Sequence, residues 1–480
     1  MHFTFLTGSQ HLYGPETLAQ VEANSREIVG FLNEKAGLPF PIEFRGVMTG
    51  PEAITAAMKQ ASFEDGCAGV ITFCHTFSPS KMWMNGLRLL QKPWLHLHTQ
   101  YGMEIPDGID MDFMNLHQSA HGDREHGYIG AFLRLPRRVV AGHWTTPAVH
   151  EKVAKWMQAC AGAAFSKTLK IMRFGDNMRE VAVTEGNKTA AQEQFGWAVN
   201  TFPVGDLAQA VNAVTDAQVK EIMDEYHERY TINTDDTASV EYQARLEIAM
   251  LGLLQREKCG AFTNTFEDLH GLRQLPGLAT QRLMARGYGY GGEGDWKTSA
   301  MTAILKHMHP APASFMEDYT YDFAQGLVLG AHMLEVCPSI AADKPRIEVH
   351  PLSIGGKEPP ARLVFAGRQG PAVCASMVDM GGRFRLIVQE MECVPPTKPM
   401  PQLPVARTMW KPLPCLETAA ECWILAGGAH HTALSYGVDY TTLNDWARIM
   451  GVECVRIGAG TEPAALEREL MVSDMIWGRK

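Results

Sequence analysis

Residues 1–33, MHFTFLTGSQHLYGPETLAQVEANSREIVGFLN, carry the pattern that decides the fold class. Residues 2–7 are a short apolar run that stops at Gly8, as a buried strand does, and the loop GSQHLYG follows. Pro15 then opens a helix, where proline is tolerated because first-turn N–H groups have no intrahelical partner. Leu18, Val21, Ile28 and Leu32 recur on roughly one face of that helix. The alternation continues with a strand near 42–47, a helix over 51–61, an apolar strand at 68–73, a helix around 82–90 and a strand in 94–98. Strands and helices at this spacing build βαβ units and hence a parallel sheet. No G-x-G-x-x-G follows the first strand, which weakens a dinucleotide reading. Ligands of open parallel sheets gather beyond the carboxyl ends of the strands. Three polar clusters fall there: Ser9-Gln10-His11, Cys74-His75-Thr76, and His96, His98 and Gln100. Any one of them reads as solvated loop; together they predict a cleft.

The chain has 480 residues, enough for two to four domains. With 46% hydrophobic and 20% charged residues it has the composition of a soluble globular protein. A net charge of −10 argues against nucleic acid or an anionic membrane as the partner. The ten cysteines are scattered and form no CxxC pair, which fits a reducing compartment. The N-terminus lacks the basic, apolar and small-residue regions of a signal peptide. No segment approaches the ~18 uninterrupted apolar residues of a membrane span. The expectation is a cytoplasmic soluble protein.

Residues 105–135 are rich in histidine and show few periodic signals, and a strand at 139–141 with a helix over 149–161 completes the first lobe. A second α/β lobe begins with a strand at 169–174, has helices over 204–213, 216–225 and 239–256, and a strand at 262–266. Beyond 310–312 short β-rich runs dominate, at 318–323, 327–333, 346–349, 362–365, 373–378 and 383–388. The prolines over 395–414 read as a long irregular connection, followed by WILAGGAHHT, a helix over 443–450 and a strand at 452–457. The texture predicts a third, mainly antiparallel domain.

The chemistry centres on GGEGDWKT, residues 291–298. Glycines surround one carboxylate, Glu293, just ahead of a helix-forming run, and they permit left-handed or crowded backbone that a Cβ forbids. Near the positive end of the helix dipole the ionised form is favoured, ready to hold a cation. The alternative is that Glu293 merely caps the helix. Glu317 and Asp318 are neighbours on a predicted strand and face opposite ways. His332 falls inside the apolar run LVLGAHML, where a satisfied core histidine is the commoner outcome. His430 and His431 follow two glycines. Two carboxylates and two imidazoles would suit an octahedral Mn²⁺, Co²⁺ or Mg²⁺, whereas a structural zinc normally draws on cysteine.

The strings GSQHLYG, HTFSPSKMW, MDFMNL, RFGDNMREVAVT, FEDLHGLRQLPGLA, GEGDWKT, SFMEDYTY, HMLEVCPSI and AGGAHHT, in this order from Gly8 to Thr432, resemble the motifs of the bacterial L-arabinose isomerase family. The tail after about 438 and the segment 230–242, which looks shortened, resemble it least. The resemblance implies a cytoplasmic aldose–ketose isomerase converting L-arabinose to L-ribulose, and in many members D-galactose to D-tagatose. It implies an α/β fold of two Rossmann-like doubly wound lobes followed by a β-rich, mainly antiparallel C-terminal domain, divided here as 1–168, 169–311 and 312–480. The central domain would carry Glu293 and the last domain the other metal ligands. The implied Mn²⁺ ligands are Glu293, Glu317, His332 and His431, with Glu293 and Glu317 also catalytic. The implied sugar contacts are Gln10, Leu12, Gln118, His121, Met178, Phe266 and Ile354. The asparagine–glutamine pair usual after MNL is His117–Gln118 here. Family members are typically homohexamers whose active site is completed by a neighbouring subunit's first domain. Two other readings stay open at this point: a ketol isomerase acting on L-fucose or a related aldose, and a non-catalytic sugar-binding protein. Proton transfer through an enediol and a metal-assisted hydride shift are equally compatible with the residues.

Overall fold

In the unit Met1–Ala164, strands β1 (His2–Gly8), β2 (Ile42–Met48), β3 (Cys67–Cys74), β4 (Trp94–His98) and β5 (Arg138–Ala141) form one sheet in the order β2-β1-β3-β4-β5. Every pairing is parallel. The strand β3, CAGVITFC, is buried at every position, as a central strand covered on both faces must be. The order reverses at β1, which makes the carboxyl ends of β1 and β3 the switch point of the sheet. The helix Gly14–Lys35 turns Val21, Ile28, Val29 and Leu32 inward. The histidine-rich stretch, which shows few periodic signals, holds the helices Met111–Leu116 and Ser119–Phe132. The second of these buries Ser119, Gly122, Asp123, His126, Ile129 and Gly130. A buried face made of small and polar residues has no hydrophobic period to read.

The computed structural model describes residues 1–352 and 354–477. Its second unit, Phe165–Lys480, opens with β6 (Lys170–Phe174), β7 (Ala198–Phe202), β8 (Thr231–Ile232), β9 (Ala261–Asn264) and β10 (Gly289–Gly291). A parallel sheet runs β10-β9-β6-β7. The remaining strands are β11 (Ala313–Asp322), β12 (Leu327–Ala331), β13 (Arg346–Val349), β14 (Ala361–Val364), β15 (Gly370–Asp379), β16 (Phe384–Val394), β17 (Arg407–Pro412), β18 (His431–Ser435) and β19 (Glu453–Ile457). Six of them follow one another as β15-β18-β11-β12-β17-β16, and β16 pairs back to β15. All six pairings are antiparallel, so the sheet closes into a barrel and abolishes its own edges. The strand β19 adds in parallel to β16. Separately, β8 pairs with β13, which pairs with β14. The architecture is therefore the expected α/β one: two parallel, helix-flanked sheets and a mainly antiparallel β-rich region.

Two local readings change, and one undecided run is settled. The connection 395–414 is not irregular throughout, because β17 lies within it and pairs with both β12 and β16; Pro412 is tolerated at the last position of that strand. The apolar run Trp423-Ile424-Leu425 is the last turn of a helix, Leu416–Ala426, ended by Gly427 at φ 78°. His332 is not inside a strand but follows the last residue of β12. Among the described residues, no helix is long and apolar enough to cross a membrane.

Candidate functional site

The loop between β10 and the helix Trp296–Met308 is held by its neighbours rather than by its own turn. Glu293 has φ +59°, left-handed backbone that a non-glycine residue adopts only when its surroundings over-determine it. Glu293 O accepts from Met178 N at 2.9 Å, and Gly294 N donates to Asn264 O at 3.0 Å. A Cβ at Gly294 would stand 2.5 Å from Asn177 Cα, so only glycine allows this approach. The helix cap is Asp295, whose Oδ1 accepts from Lys297 N and Thr298 N, each at 3.1 Å. Glu293 is thus not the cap, and its carboxylate is free for another task.

That carboxylate points towards side chains that strand register assembles. On β11, Glu317 pairs with His431 of β18 on one side and with Ala331 of β12 on the other, and His332 follows Ala331. His332 Nε2 lies 3.9 Å from Glu317 Oε2, and His431 Nε2 lies 3.9 Å from Glu293 Oε2. His430 Nε2 is nearer, at 3.4 Å from the same Glu293 oxygen. Glu293, His430 and His431 bring ligand-type atoms within 4.8 Å of one another. The Phe315 ring packs edge-on against both His332 and His431, at 4.8 and 5.0 Å, and keeps that side dry. His431 is fully buried, yet among the described residues neither ring nitrogen has a hydrogen-bond partner. A buried imidazole left in that state is costly, and a cation on Nε2 would resolve it. On this ground His431 and Glu293, with Glu317 and His332 beside them, offer donor types that suit a divalent ion.

The electrostatics agree. Burial works against charge on Glu293, but the hydrogen bond from His430 and the nearby His431 and His332 outweigh it and hold the carboxyl below its ordinary value. On Glu317 burial prevails and pushes the carboxyl up, against the pull of His332 and His430. Burial lowers His431 more than Asp295 raises it, so this imidazole keeps a lone pair for a ligand. Burial raises Asp318 to about 6; it borders a separate small cavity with Trp410 and Trp423, so Glu317 and Asp318 do face opposite ways.

A cavity of about 150 Å³ opens beside the carboxylates, lined by Glu293, Glu317 and His332 together with Phe266, Tyr319 and Ile354. Phe266 and Ile354, two expected sugar contacts, therefore lie at the site, and Met178 is tied to the Glu293 backbone. The other four belong to the first unit. Tyr13 Oη donates to Gln118 Oε1 at 3.2 Å, beside the turn that Gln10 precedes. Leu12 is 82% exposed, and His121 is exposed with its ring 4.5 Å from that of Phe77. The predicted cleft of polar loops is largely internal instead. Ser9, His75, Thr76 and His96 are buried; Ser9 bonds Thr76, and His96 bonds Asp123. These bonds tie the ends of β1, β3 and β4 to the helix Ser119–Phe132.

The sequence reading missed Asp295 and Glu335. Asp295 sits 3.5 Å from His431 Nδ1, and Glu335 sits 2.5 Å from His332 Nδ1. An aspartate at the start of a helix run and a glutamate three residues after a histidine were the available signals.

The chain matches family models described as the L-arabinose isomerase N-terminal domain over residues 1–168, the central domain over 170–311 and the C-terminal domain over 312–453. It is 57% identical to the L-arabinose isomerase of Anoxybacillus flavithermus, covering 100% of this chain and 98% of the relative. The L-arabinose isomerases of Geobacillus stearothermophilus and Thermotoga petrophila are 56% and 54% identical, each over 99% of this chain and 98% of the relative.

Proposed function

The chain belongs to the L-arabinose isomerase family, and from that premise we propose that it interconverts L-arabinose and L-ribulose with Mn²⁺ held by Glu293, Glu317, His332 and His431. The observation that carries the metal reading is the buried, unpartnered imidazole of His431 facing the Glu293 carboxylate. Mixed carboxylate and imidazole donors accept Co²⁺ or Mg²⁺ as substitutes.

The reaction moves a proton between carbons 2 and 1 of an open-chain aldose. Glu293 and Glu317 stand on separate segments at one cavity, where the ionised carboxylate takes the carbon-2 proton, the protonated partner gives its own proton to carbon 1, and the hydroxyl proton passes from O2 to O1, so the two carboxyls exchange protonation states. When bound, Mn²⁺ supplies Lewis acidity towards the two adjacent sugar oxygens and acidifies the carbon-bound proton. Phe266 and Ile354 exclude water and fix which sugar face meets the carboxylates. D-Galactose has the same configuration as L-arabinose at carbons 2 to 4 and is the second substrate, yielding D-tagatose. The protein acts in the cytoplasm, which its dispersed buried thiols such as Cys67, Cys74 and Cys337 support. It works as a homohexamer in which Gln10, Leu12, Gln118 and His121 of one copy complete a neighbour's site; the exposure of Leu12 supports this.

The test is ketose formation from L-arabinose and D-galactose by metal-stripped and Mn²⁺-loaded protein. Activity lost in EDTA and restored by Mn²⁺ is expected. Full turnover after exhaustive chelation would overturn the metal reading, and a preference for another aldose by kcat/KM would overturn the substrate.

A further inference from the structure

We infer that Glu335 and Asp295 are positioning residues, each holding the Nδ1 side of one proposed ligand histidine so that Nε2 is presented to the ion. The inference rests on the metal reading proposed above. Its basis is that two unrelated segments repeat one arrangement.

Glu335 is 6% exposed and lies in the turn after β12. Its Oε2 accepts from His332 Nδ1 at 2.5 Å and from Leu334 N at 3.1 Å. A carboxylate can only accept, so the proton of a neutral His332 sits on Nδ1 and the lone pair on Nε2. That Nε2 is the atom facing Glu317. On the other side of the site, Asp295 is 1% exposed and its Oδ2 lies 3.5 Å from His431 Nδ1. This is ion-pair range without the alignment of a hydrogen bond, and it tightens if Nε2 engages a cation. Asp295 is itself anchored: it caps the helix Trp296–Met308, accepts from Thr298 Oγ1 at 2.7 Å and lies 3.5 Å from the buried Lys297 ammonium. Lys297 Nζ in turn donates to Thr184 O at 2.9 Å and to Glu185 O. Neither carboxylate lies where it would bind the ion, since each meets the far nitrogen of its histidine. Carboxylates behind ligand histidines fix the ring orientation and tautomer, and losing one typically weakens metal binding by about 10–100-fold.

A purely structural role is the competing account, and metal affinity separates the two. Mn²⁺ alone is titrated into metal-stripped full-length protein, followed by the electron paramagnetic resonance signal of the free ion, with a melting curve of each metal-free variant. Glu335→Leu and Asp295→Asn should weaken Mn²⁺ binding by roughly 10–100-fold. Asparagine keeps an oxygen for the helix cap but leaves the buried Lys297 ammonium without its carboxylate, so Asp295→Asn should fold with a lower metal-free melting temperature, and its Mn²⁺ affinity is read well below that temperature. Glu335→Gln keeps an acceptor at Nδ1 and should lose less affinity than Glu335→Leu. Glu335→Leu and Asp295→Asn variants that fold and bind Mn²⁺ within twofold of the parent would overturn the inference. Parallel His332→Asn and His431→Asn variants distinguish its failure from that of the site. If they bind Mn²⁺ as the parent does, the ligand set is wrong and the inference falls with it. If they lose Mn²⁺ while Glu335→Leu and Asp295→Asn keep it, only the positioning role falls.

Discussion

Glu317 and His431 are direct partners across the antiparallel pair of β11 and β18. Far apart in the chain, they share one barrel face because side chains alternate along a strand. A one-residue slip of β11 would turn Glu317 away and bring its neighbour, Asp318 or Met316, to the same place. The register of the barrel, more than any local motif, sets the carboxylate–imidazole cluster.

Replacing Glu317 by Gln, or Glu293 by Gln, should lower kcat on L-arabinose by about 10²–10⁴-fold, the usual weight of a positioned acid or base. Steady-state kinetics at saturating Mn²⁺, with circular dichroism to verify the fold, checks this; near-parental kcat in both variants contradicts shared proton transfer.

Glu293 is strained at φ +59°, and such a residue typically costs about 1–3 kcal/mol. Glu293→Gly should leave the metal-free protein as stable as the parent or more stable by about 1 kcal/mol, while activity disappears. Denaturant unfolding without metal measures it, and a loss of stability would mean the left-handed backbone carries no strain.

Gly330 lies in β12 where an added Cβ would stand 1.9 Å from the ring of Trp410 in β17. Gly330→Ala should destabilise the protein by about 1–3 kcal/mol through overpacking. An unchanged unfolding midpoint would show that the indole moves aside without cost.

His75 makes the acid limb of stability steeper. Burial pushes it down to about 4, more than its bond to the Leu116 carbonyl restores. His75 Nδ1 donates to Leu116 O and Nε2 accepts from Asn24 Nδ2, each at 3.0 Å, so a second proton would set two donors against each other. Between the unfolded pKa near 6.5 and about 4, the unfolded chain binds a proton that the folded one refuses. Stability therefore falls as pH drops through that window, by roughly 3 kcal/mol for this group. His126 shifts in the same direction through burial; His98, held by Asp123, shifts oppositely. His75→Gln, which can keep polar contacts without titrating, should flatten the fall in melting temperature between pH 6.5 and 4.5. An unaltered slope would remove His75 from the account.

Local pattern was enough to read the parallel sheet of the first unit, since β1, β3 and β4 are apolar runs separated by helices. It was enough to single out Glu293, because glycines around a carboxylate ahead of a helix have a physical meaning before any fold is known. It was not enough for the helix Ser119–Phe132, whose buried face includes Gly122, Asp123 and His126, nor for β17, hidden among prolines. In both, tertiary contacts stabilise an element that hydrophobic periodicity does not announce.

By itself the sequence determined the chemical inventory: which residues are acids, imidazoles and glycines, and the strand–helix alternation that makes the first sheet parallel. Tertiary structure alone decided that the Glu293 carboxylate meets His430 and His431, that Glu317 sits between β12 and β18, and that Asp295 stands behind His431. Those relations depend on strand register and chain closure. They are set by which packing buries the whole barrel at once, and no stretch of a few residues contains that information.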